Sequence, residues 1–403
     1  MRYGPHSLHR IAAIVPQPPA LMSMTRRHFT RLLAAAGTGS GALGGCATGG
    51  ASAEPSLDAL ARAKGLRFGS TLGVGSAGRG SRFHDAAYRE LTARECGVLV
   101  PENETKWPQL CPDPHQPYRF GPADEMFAWA RSKGMALRGH TLLWMLPKWL
   151  PDWVNTHDFG AQPRQAAERL LADHVRTTCT HFGDSIESWD VVNEAIAPET
   201  GLLHENVLTR HVGDVELIAQ AFHQAREHAP KAQLVYNDFM SWGEGNAKHR
   251  AGVLKLLAEL KRRGAPVQAL GLQAHIGVWS LPAAGGAGAT GVEWRRFLDE
   301  AMGMGLDLLI TELDVNDRAL PSDIAQRDAG VAAAARDWLD VTLSAPRLHR
   351  LLCWGLADHY SWLQDGKPRD DGLQKRPLPY DAQLQAKPLR GAIADALRAM
   401  PAR

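Results

Sequence analysis

Short apolar runs alternate with amphipathic stretches along the chain from about residue 57. The apolar runs are rich in Leu, Val and Ile, which is typical of strands that are buried on both faces of a parallel sheet. Eight such runs lie at 66–72, 97–100, 135–142, 186–192, 232–236, 267–272, 306–313 and 348–356. Apolar residues at helical spacing predict helices between them, at 123–133, 165–182, 215–228, 247–263, 292–302 and 324–343.

This alternation of strand and helix predicts an α/β fold with a parallel sheet. Eight repeats favour a closed (β/α)8 TIM barrel over an open sheet. Because a barrel of this kind uses about 250 residues or more as one unit, residues 54–403 are predicted to form a single domain.

Polar or aromatic side chains stand at the ends of seven of the eight predicted strands. In a barrel they would converge on one mouth, the face where enzymes of this fold hold their active sites. An open sheet would bring together only the few at its switch point. These side chains are Glu102 and Asn103, His140 and Trp144, Asn193 and Glu194, Asn237 and Asp238, Gln273 and His275, Glu312 and Asp314, and Trp354.

Two of these residues are glutamates on strongly apolar strands. Glu194 ends the run that begins at Trp189, and Glu312 interrupts an apolar run at 308–315. Burying such a charge without a partner costs several kcal/mol. Either carboxylate alone could have a structural role, but two such strands in one chain favour a functional pair.

A glycine-rich stretch offers a rival interpretation. Residues 73–78 fit the pattern G-x-G-x-x-G after a predicted strand, and Glu102 lies about where a ribose-binding acid would stand. Residues 79–82, however, separate the last glycine from the following helix, whereas the dinucleotide motif places that glycine at the helix start. A dinucleotide site is therefore disfavoured, and no cofactor is expected.

Charge and cysteine content exclude other classes of function. The chain has 45 Lys and Arg against 43 Asp and Glu, so there is no basic footprint for nucleic acid. Four cysteines follow residue 53, with neither a C-x-x-C pair nor a histidine spacing that suits zinc. No metal site is expected, and no disulfide pairing is predicted. No apolar run of about 18 residues predicts a membrane span.

Residues 1–53 differ in composition from the rest, with five arginines and no acidic residue. The pair Arg26-Arg27 precedes a weakly apolar run and resembles a bacterial twin-arginine export signal, preceded by an over-extended start. Residues 43–46 resemble a lipobox, in which Cys46 would be acylated, and cleavage after Ala53 is the competing outcome. Export to the periplasm, the cell envelope or the medium is therefore expected.

From Leu57 to the C terminus the chain carries several separate motifs. Their sequences and their order along the chain resemble those of glycoside hydrolase family 10, the endo-β-1,4-xylanases. The motifs are PENETKW at 101–107, RGHTLLW at 138–144, WDVVNE at 189–194, YND at 236–238, GLQAH at 271–275, ITELDV at 310–315, and WG at 354–355 with YSWL at 360–363. The resemblance implies a retaining hydrolase without metal or organic cofactor, acting on xylan and xylo-oligosaccharides.

The resemblance also implies roles for individual residues. Glycoside hydrolysis requires one carboxyl group to protonate the leaving oxygen and a second to meet the developing cation from the other face. By resemblance Glu194 is the acid/base, which needs a raised pKa, and Glu312 is the nucleophile, which must stay ionised. Supporting residues are expected to be His275, Asp314, Asn237 and Gln273, with His275 held by Asp314 and bonded to Glu312.

Sugar contacts are implied in the same way. Asn193 resembles the residue that binds the 2-hydroxyl of the reacting sugar, and three tryptophans would wall the site and exclude a hydroxymethyl group on C5. This favours xylose over glucose. The implied sugar-binding residues are Glu102, Asn103, Lys106, His140, Trp144, Asn193, Trp354 and Trp362.

One departure from the family and two alternatives remain. Met145-Leu146 lead directly from Trp144 to Pro147, so this loop is expected to be shortened and to lack a sugar-binding amide. The alternatives are a β-glycanase that prefers another glycan, such as cellulose, and a non-catalytic sugar-binding barrel. Two costly carboxylates argue against the latter. A monomer without a separate binding module is expected.

Overall fold

The structure is a computed structural model that describes residues 54–75, 80–278 and 287–403. The twin-arginine motif and Cys46 lie outside the described residues, as do Ser76, Ala77 and Gly78 of the glycine-rich stretch. Among the described helices, none is long and apolar enough to cross a membrane.

Eight parallel strands close into a barrel, which confirms the predicted (β/α)8 fold. Each strand from β1 to β5 pairs with the next, β6 pairs with β8, β8 pairs with β9, and β9 returns to β1. The described strands are β1 (Arg67–Leu72), β2 (Val98–Pro101), β3 (Ala136–Trp144), β4 (Ser188–Asn193), β5 (Gln233–Asp238), β6 (Ala269–Leu272), β7 (His275–Gly277), β8 (Asp307–Asn316) and β9 (Leu348–Cys353).

The short strand β7 continues the course of β6 after an interruption at Gln273 and Ala274. Ala274 has a φ of 62°, in the left-handed region, and β7 then resumes pairing with the outer half of β8. The interruption places Gln273 between the two strands and His275 at the start of β7.

Helices surround the barrel in the predicted alternation. Their described bounds are α1 (Leu57–Arg62), α2 (Ala86–Glu95), α3 (Trp107–Leu110), α4 (Gly121–Ser132), α5 (Asp152–Asn155), α6 (Pro163–Phe182), α7 (Val207–Val212), α8 (Asp214–His228), α9 (Ala247–Arg262), α10 (Gly288–Gly303), α11 (Ile324–Thr342) and α12 (Pro388–Ala399). Short 3-10 turns lie at Pro147–Trp149, Gly183–Ser185, Glu244–Asn246, Asp358–Tyr360 and Trp362–Asp365.

Helix α2 was not predicted, because polar residues occupy its buried face. Glu95 on this face is buried, and it accepts hydrogen bonds from the backbone N–H of Leu57 at 2.9 Å and from the Tyr380 hydroxyl at 2.7 Å. Burying a satisfied carboxylate breaks the hydrophobic pattern that marks a helix. The helix begins at Ala86, well beyond Gly78, so the glycine-rich stretch lacks the strand-to-helix context of a dinucleotide site.

Alternate residues of a strand face the same side of the sheet. The barrel therefore has two apolar regions, one on the outward face of its strands and one on the inward face. The larger core lies between barrel and helices and includes Leu137 and Trp189. A smaller cluster contains Val100 and Leu352, which share their strand faces with the polar residues that reach the mouth. The rigid barrel therefore carries the candidate site on its inward face.

Candidate active site

The two glutamates lie directly after β4 and within β8. Glu194 directly follows β4 with a φ of 52°, and its backbone N–H donates to the carbonyl of Asn237 at 2.9 Å. Glu312 lies within β8 and is 4% exposed. A positive φ is uncommon for a residue other than glycine and is found where surrounding contacts hold it.

Three amide side chains link the two carboxyl groups in one hydrogen-bonded chain. Gln273 Nε2 lies 2.9 Å from Glu194 Oε1 and 3.3 Å from Asn193 Oδ1. Asn237 Nδ2 lies 2.9 Å from Asn193 Oδ1 and 2.7 Å from Glu312 Oε1. The amides therefore fix the positions of both carboxylates relative to each other.

Glu312 is kept ionised by its neighbours. Burial by itself would raise its pKa, but the hydrogen bond from His275, the charges of His140 and His275, and the hydrogen bond from Asn237 together lower the pKa of Glu312. His275 Nε2 lies 3.2 Å from Glu312 Oε2, and its Nδ1 lies 3.0 Å from Asp314 Oδ2. The structure thus places His275 between the two carboxylates, as the sequence analysis expected.

His275 carries the positive charge in this arrangement. Burial would lower its pKa, yet the two carboxylates, Asp314 foremost, raise the pKa of His275 to about 10. Trp362 completes the group, because its indole N–H donates to Asp314 Oδ2 at 2.7 Å. An imidazolium between two carboxylates favours the charged form of Glu312 at neutral pH.

Glu194 has the opposite environment. Burial raises its pKa, the hydrogen bond from Gln273 opposes this, and the negative charges of Asp238 and Glu312 raise the pKa further, with a net increase. Trp144 Nε1 donates to Glu194 Oε2 at 3.0 Å. One carboxyl group is therefore poised to hold a proton and the other to remain an anion, which is the division of roles that acid/base chemistry requires.

Asn237 is positioned from within the barrel. Its Oδ1 accepts a hydrogen bond from the Thr311 hydroxyl at 2.7 Å, which leaves Nδ2 to donate to Asn193 and Glu312. Gly271 on the neighbouring strand leaves room for this amide, because a Cβ there would lie 2.2 Å from Asn237 Oδ1.

A buried ion pair supports His140 on β3. His140 Nδ1 lies 2.9 Å from Asp190 Oδ2, and Arg138 Nη2 lies 2.5 Å from Asp190 Oδ1. All three residues are at most 2% exposed. With Nδ1 bound to Asp190, the Nε2 edge of His140 is left for other contacts. The sequence pattern marks His140 but does not mark Asp190 as its partner.

The loop after β2 contributes Glu102, Asn103 and Lys106. Lys106 Nζ donates to Asn103 Oδ1 at 2.9 Å and lies 4.8 Å from the centre of the Trp144 ring. Burial lowers the pKa of Lys106, against the effect of nearby carboxylates. Glu102 forms a buried ion pair with Arg82, a residue that no sequence signal marked.

Aromatic rings border the site. Trp354 is buried, with its ring centroid 5.2 Å from that of His140, and Trp362 is 37% exposed. Trp149, which was not predicted as a site residue, stacks on Trp144 with centroids 4.5 Å apart and an interplanar angle of 16°. Asn103, Lys106, Trp144 and Trp149 also line a groove that continues from the site.

In the part of the chain that the structure describes, no cluster of three or more His, Cys, Asp or Glu could hold a metal ion. The described polar groups instead form a carboxylate pair with amide and imidazole supports. The site residues predicted from sequence lie in the middle or at the carboxyl end of a strand, or in the segment that follows a strand.

Residues 56–396 match the sequence model of glycosyl hydrolase family 10. The chain belongs to this family. It is 31% identical over 278 residues to endo-1,4-β-xylanase B of Thermotoga neapolitana, covering 68% of this chain and 74% of the relative. It is 32% identical over 292 residues to endo-1,4-β-xylanase A of Fusarium oxysporum, covering 70% of this chain and 85% of the relative.

Solved structures agree with the family 10 assignment. Native xylanase 10B from Thermotoga maritima superposes with a TM-score of 0.74 at 29% identity, covering 85% of this family 10 chain and 98% of the other. Xylanase 10B from Thermotoga petrophila in complex with xylobiose gives a TM-score of 0.74 at 29% identity, covering 85% of this chain and 97% of the other.

Proposed function

We propose that this family 10 protein is an endo-β-1,4-xylanase that hydrolyses xylan and xylo-oligosaccharides with retention of configuration. The observation that carries the proposal is the pair of glutamates with opposed tuning, Glu194 with a raised pKa and Glu312 with a lowered pKa, joined through one chain of amides. Two carboxyl groups with these properties are what double displacement at an anomeric carbon requires.

In the first step, Glu312 attacks the anomeric carbon while Glu194 donates its proton to the glycosidic oxygen, and the C–O bond to the leaving sugar breaks. In the second step, Glu194, now a carboxylate, takes a proton from water. The resulting oxygen nucleophile attacks the same carbon, and the bond to Glu312 breaks. Two inversions give net retention.

Asn193 is suited to bind the reacting sugar. Its Oδ1 accepts from Asn237 and Gln273, whereas its buried Nδ2 has no hydrogen-bond partner among the described residues. A buried donor without a partner costs free energy, and a sugar hydroxyl would satisfy it. We assign Asn193 to the 2-hydroxyl, where contacts strengthen in the transition state.

The remaining residues are assigned to substrate contacts. Lys106 and Asn103 bond each other at the groove that both residues line, and we assign them to the sugar on the non-reducing side. Trp144, Trp354 and Trp362 supply indole surfaces against which xylose packs and a C5 hydroxymethyl group would collide. This arrangement favours xylan over cellulose.

Substitution of each glutamate tests the two roles. Glu312→Ala is expected to abolish turnover of xylan and of aryl xylosides, with partial recovery by azide or formate, because a small anion can enter the vacated space. Glu194→Ala is expected to retain glycosylation by a xyloside with an activated aryl leaving group, which needs little protonation, while xylan is barely cut. Parallel loss of both activities in Glu194→Ala would overturn the assignment.

We further propose that the protein is exported by the twin-arginine segment around Arg26-Arg27, and that it is monomeric. The arginine pair and the following small residues support export. Acylation of Cys46 would anchor the protein at the cell envelope. Radioactive palmitate, supplied to the native chain and to Cys46→Ala, tests this: label in the native chain alone supports the anchor, and no label in either excludes it.

A further inference from the structure

The backbone around Glu194 is held by a second set of buried groups that the double displacement does not use. Glu194 has a φ of 52°, and the next residue, Ala195, donates its backbone N–H to the Tyr236 hydroxyl at 3.2 Å. The Tyr236 hydroxyl in turn donates to Asp238 Oδ2. Tyr236 and Asp238 are both completely buried on β5.

Asp238 is supported from two further directions. Its Oδ1 accepts the backbone N–H of Phe239 at 2.8 Å and lies 3.0 Å from Nε2 of His249, a fully buried residue on α9. His249 Nδ1 has no hydrogen-bond partner among the described residues. Nε2 is therefore the ring nitrogen of His249 that contacts Asp238, and it donates the hydrogen bond when it carries the ring proton.

We propose that Tyr236, Asp238 and His249 form a positioning relay for Glu194. The hydroxyl of Tyr236 fixes the peptide that follows Glu194. Asp238 supplies a buried negative charge close to the carboxyl group of Glu194. His249 orients Asp238. None of the three is assigned a contact with the substrate. The inference rests on the acid/base role proposed for Glu194 and adds the groups that set its geometry and its proton affinity.

The electrostatic part of the relay has a defined sign. Burial raises the pKa of Glu194, Gln273 opposes this by a hydrogen bond, and the charge of Asp238 raises the pKa further. A general acid must be protonated, so activity is lost as the pH rises through its pKa. Removing the Asp238 charge therefore lowers the pKa of Glu194 and moves the alkaline limb of the pH profile to lower pH.

Other charged groups face the same region and are left in place by the test. Glu194 also faces the carboxylate of Glu312 from β8 and the ammonium of Lys106 from the loop after β2. Asp238 also faces His204, on the segment that follows β4, where burial lowers the histidine pKa. Because these groups are unchanged in the variants, a shift of the alkaline limb reports on Asp238.

Four variants at three positions separate the parts of the relay. Tyr236→Phe is expected to lower kcat/KM on xylan at least about tenfold, a modest part of what general acid catalysis supplies, and to affect an activated aryl xyloside far less. Asp238→Asn is expected to move the alkaline limb on xylan to lower pH. His249→Gln keeps an N–H donor and is expected to keep the native limb. His249→Leu should move the limb in the same direction as Asp238→Asn but by less, because Asp238 loses one donor that stabilises its charged form and keeps those of Tyr236 and Phe239.

Tyr380→Phe is the matched control, since it removes a buried hydroxyl that donates to the carboxylate of Glu95, away from Glu194. It is expected to keep the native ratio of xylan to aryl-xyloside activity and the native pH profile. If Tyr236→Phe and Asp238→Asn match this control while Glu194→Ala shows its selective defect, the relay is excluded and the proposed function stands. If Glu194→Ala loses both activities in parallel, the acid/base assignment itself fails.

Discussion

The ion pair between Arg138 and Asp190 provides a prediction for stability and activity together. Both residues are 1% exposed, and Asp190 also holds His140. Asp190→Asn keeps the shape of the side chain and leaves the Arg138 charge without compensation. Removing one partner of a buried pair costs about 3–5 kcal/mol.

This cost converts to a shift in Tm. An unfolding entropy of about 2.1 cal/mol/K per residue, over roughly 350 folded residues, gives a decrease in Tm of about 4–7 °C. Thr141→Val is the matched control, because it removes a neutral hydrogen bond from the Thr141 hydroxyl to the carbonyl of Asp190 at 2.8 Å. That loss should cost about 0.5–1.5 kcal/mol, or roughly 1–2 °C.

Differential scanning calorimetry of the native chain and both variants measures the two effects. Activity on xylan should also decline in Asp190→Asn, because His140 loses the carboxylate that binds its Nδ1. Equal Tm values for Asp190→Asn and Thr141→Val would refute the reasoning, since they would mean that the buried Arg138 charge is compensated by groups other than Asp190.

Three further predictions concern the pH profile, the preferred glycan and export. The pH profile of kcat/KM on xylan should be bell-shaped. Activity should fall below the lowered pKa of Glu312, which must be ionised, and above the raised pKa of Glu194, which must be protonated. Steady-state kinetics across pH measures both limbs. Hydrolysis of xylan should exceed that of a soluble cellulose derivative at least roughly tenfold, as a misplaced hydroxymethyl group costs about 1–3 kcal/mol, and equal rates would favour the broader β-glycanase. Lysine at both Arg26 and Arg27 should leave unprocessed protein in the cytoplasm, as cell fractionation would show, and unchanged export would exclude the twin-arginine route.

The barrel was predictable from sequence because its strands are buried on both faces and read as apolar runs. Helix α2 was not, since Glu95 occupies its buried face and is satisfied by partners far away in sequence, Leu57 and Tyr380. Interactions between residues distant in the chain leave no periodic signal, so propensity and spacing alone miss such a helix.

The same limit applied to the site. Polar residues at strand ends identified Glu194, Glu312 and His275, because the topology of a barrel brings strand ends together. Arg82 carries no such mark, since it belongs to a loop, and its pairing with Glu102 depends on how that loop folds. The stacking of Trp149 on Trp144 likewise follows from the 3-10 turn at Pro147–Trp149, which the sequence pattern did not predict.

The stereochemistry of the first product tests the central claim most directly. Nuclear magnetic resonance of the anomeric protons during early hydrolysis of a xylo-oligosaccharide, before mutarotation, distinguishes the two outcomes. Nucleophilic attack by Glu312 followed by attack of water gives the β-anomer first. Appearance of the α-anomer first would mean a single displacement by water, and it would contradict the roles assigned to Glu194 and Glu312.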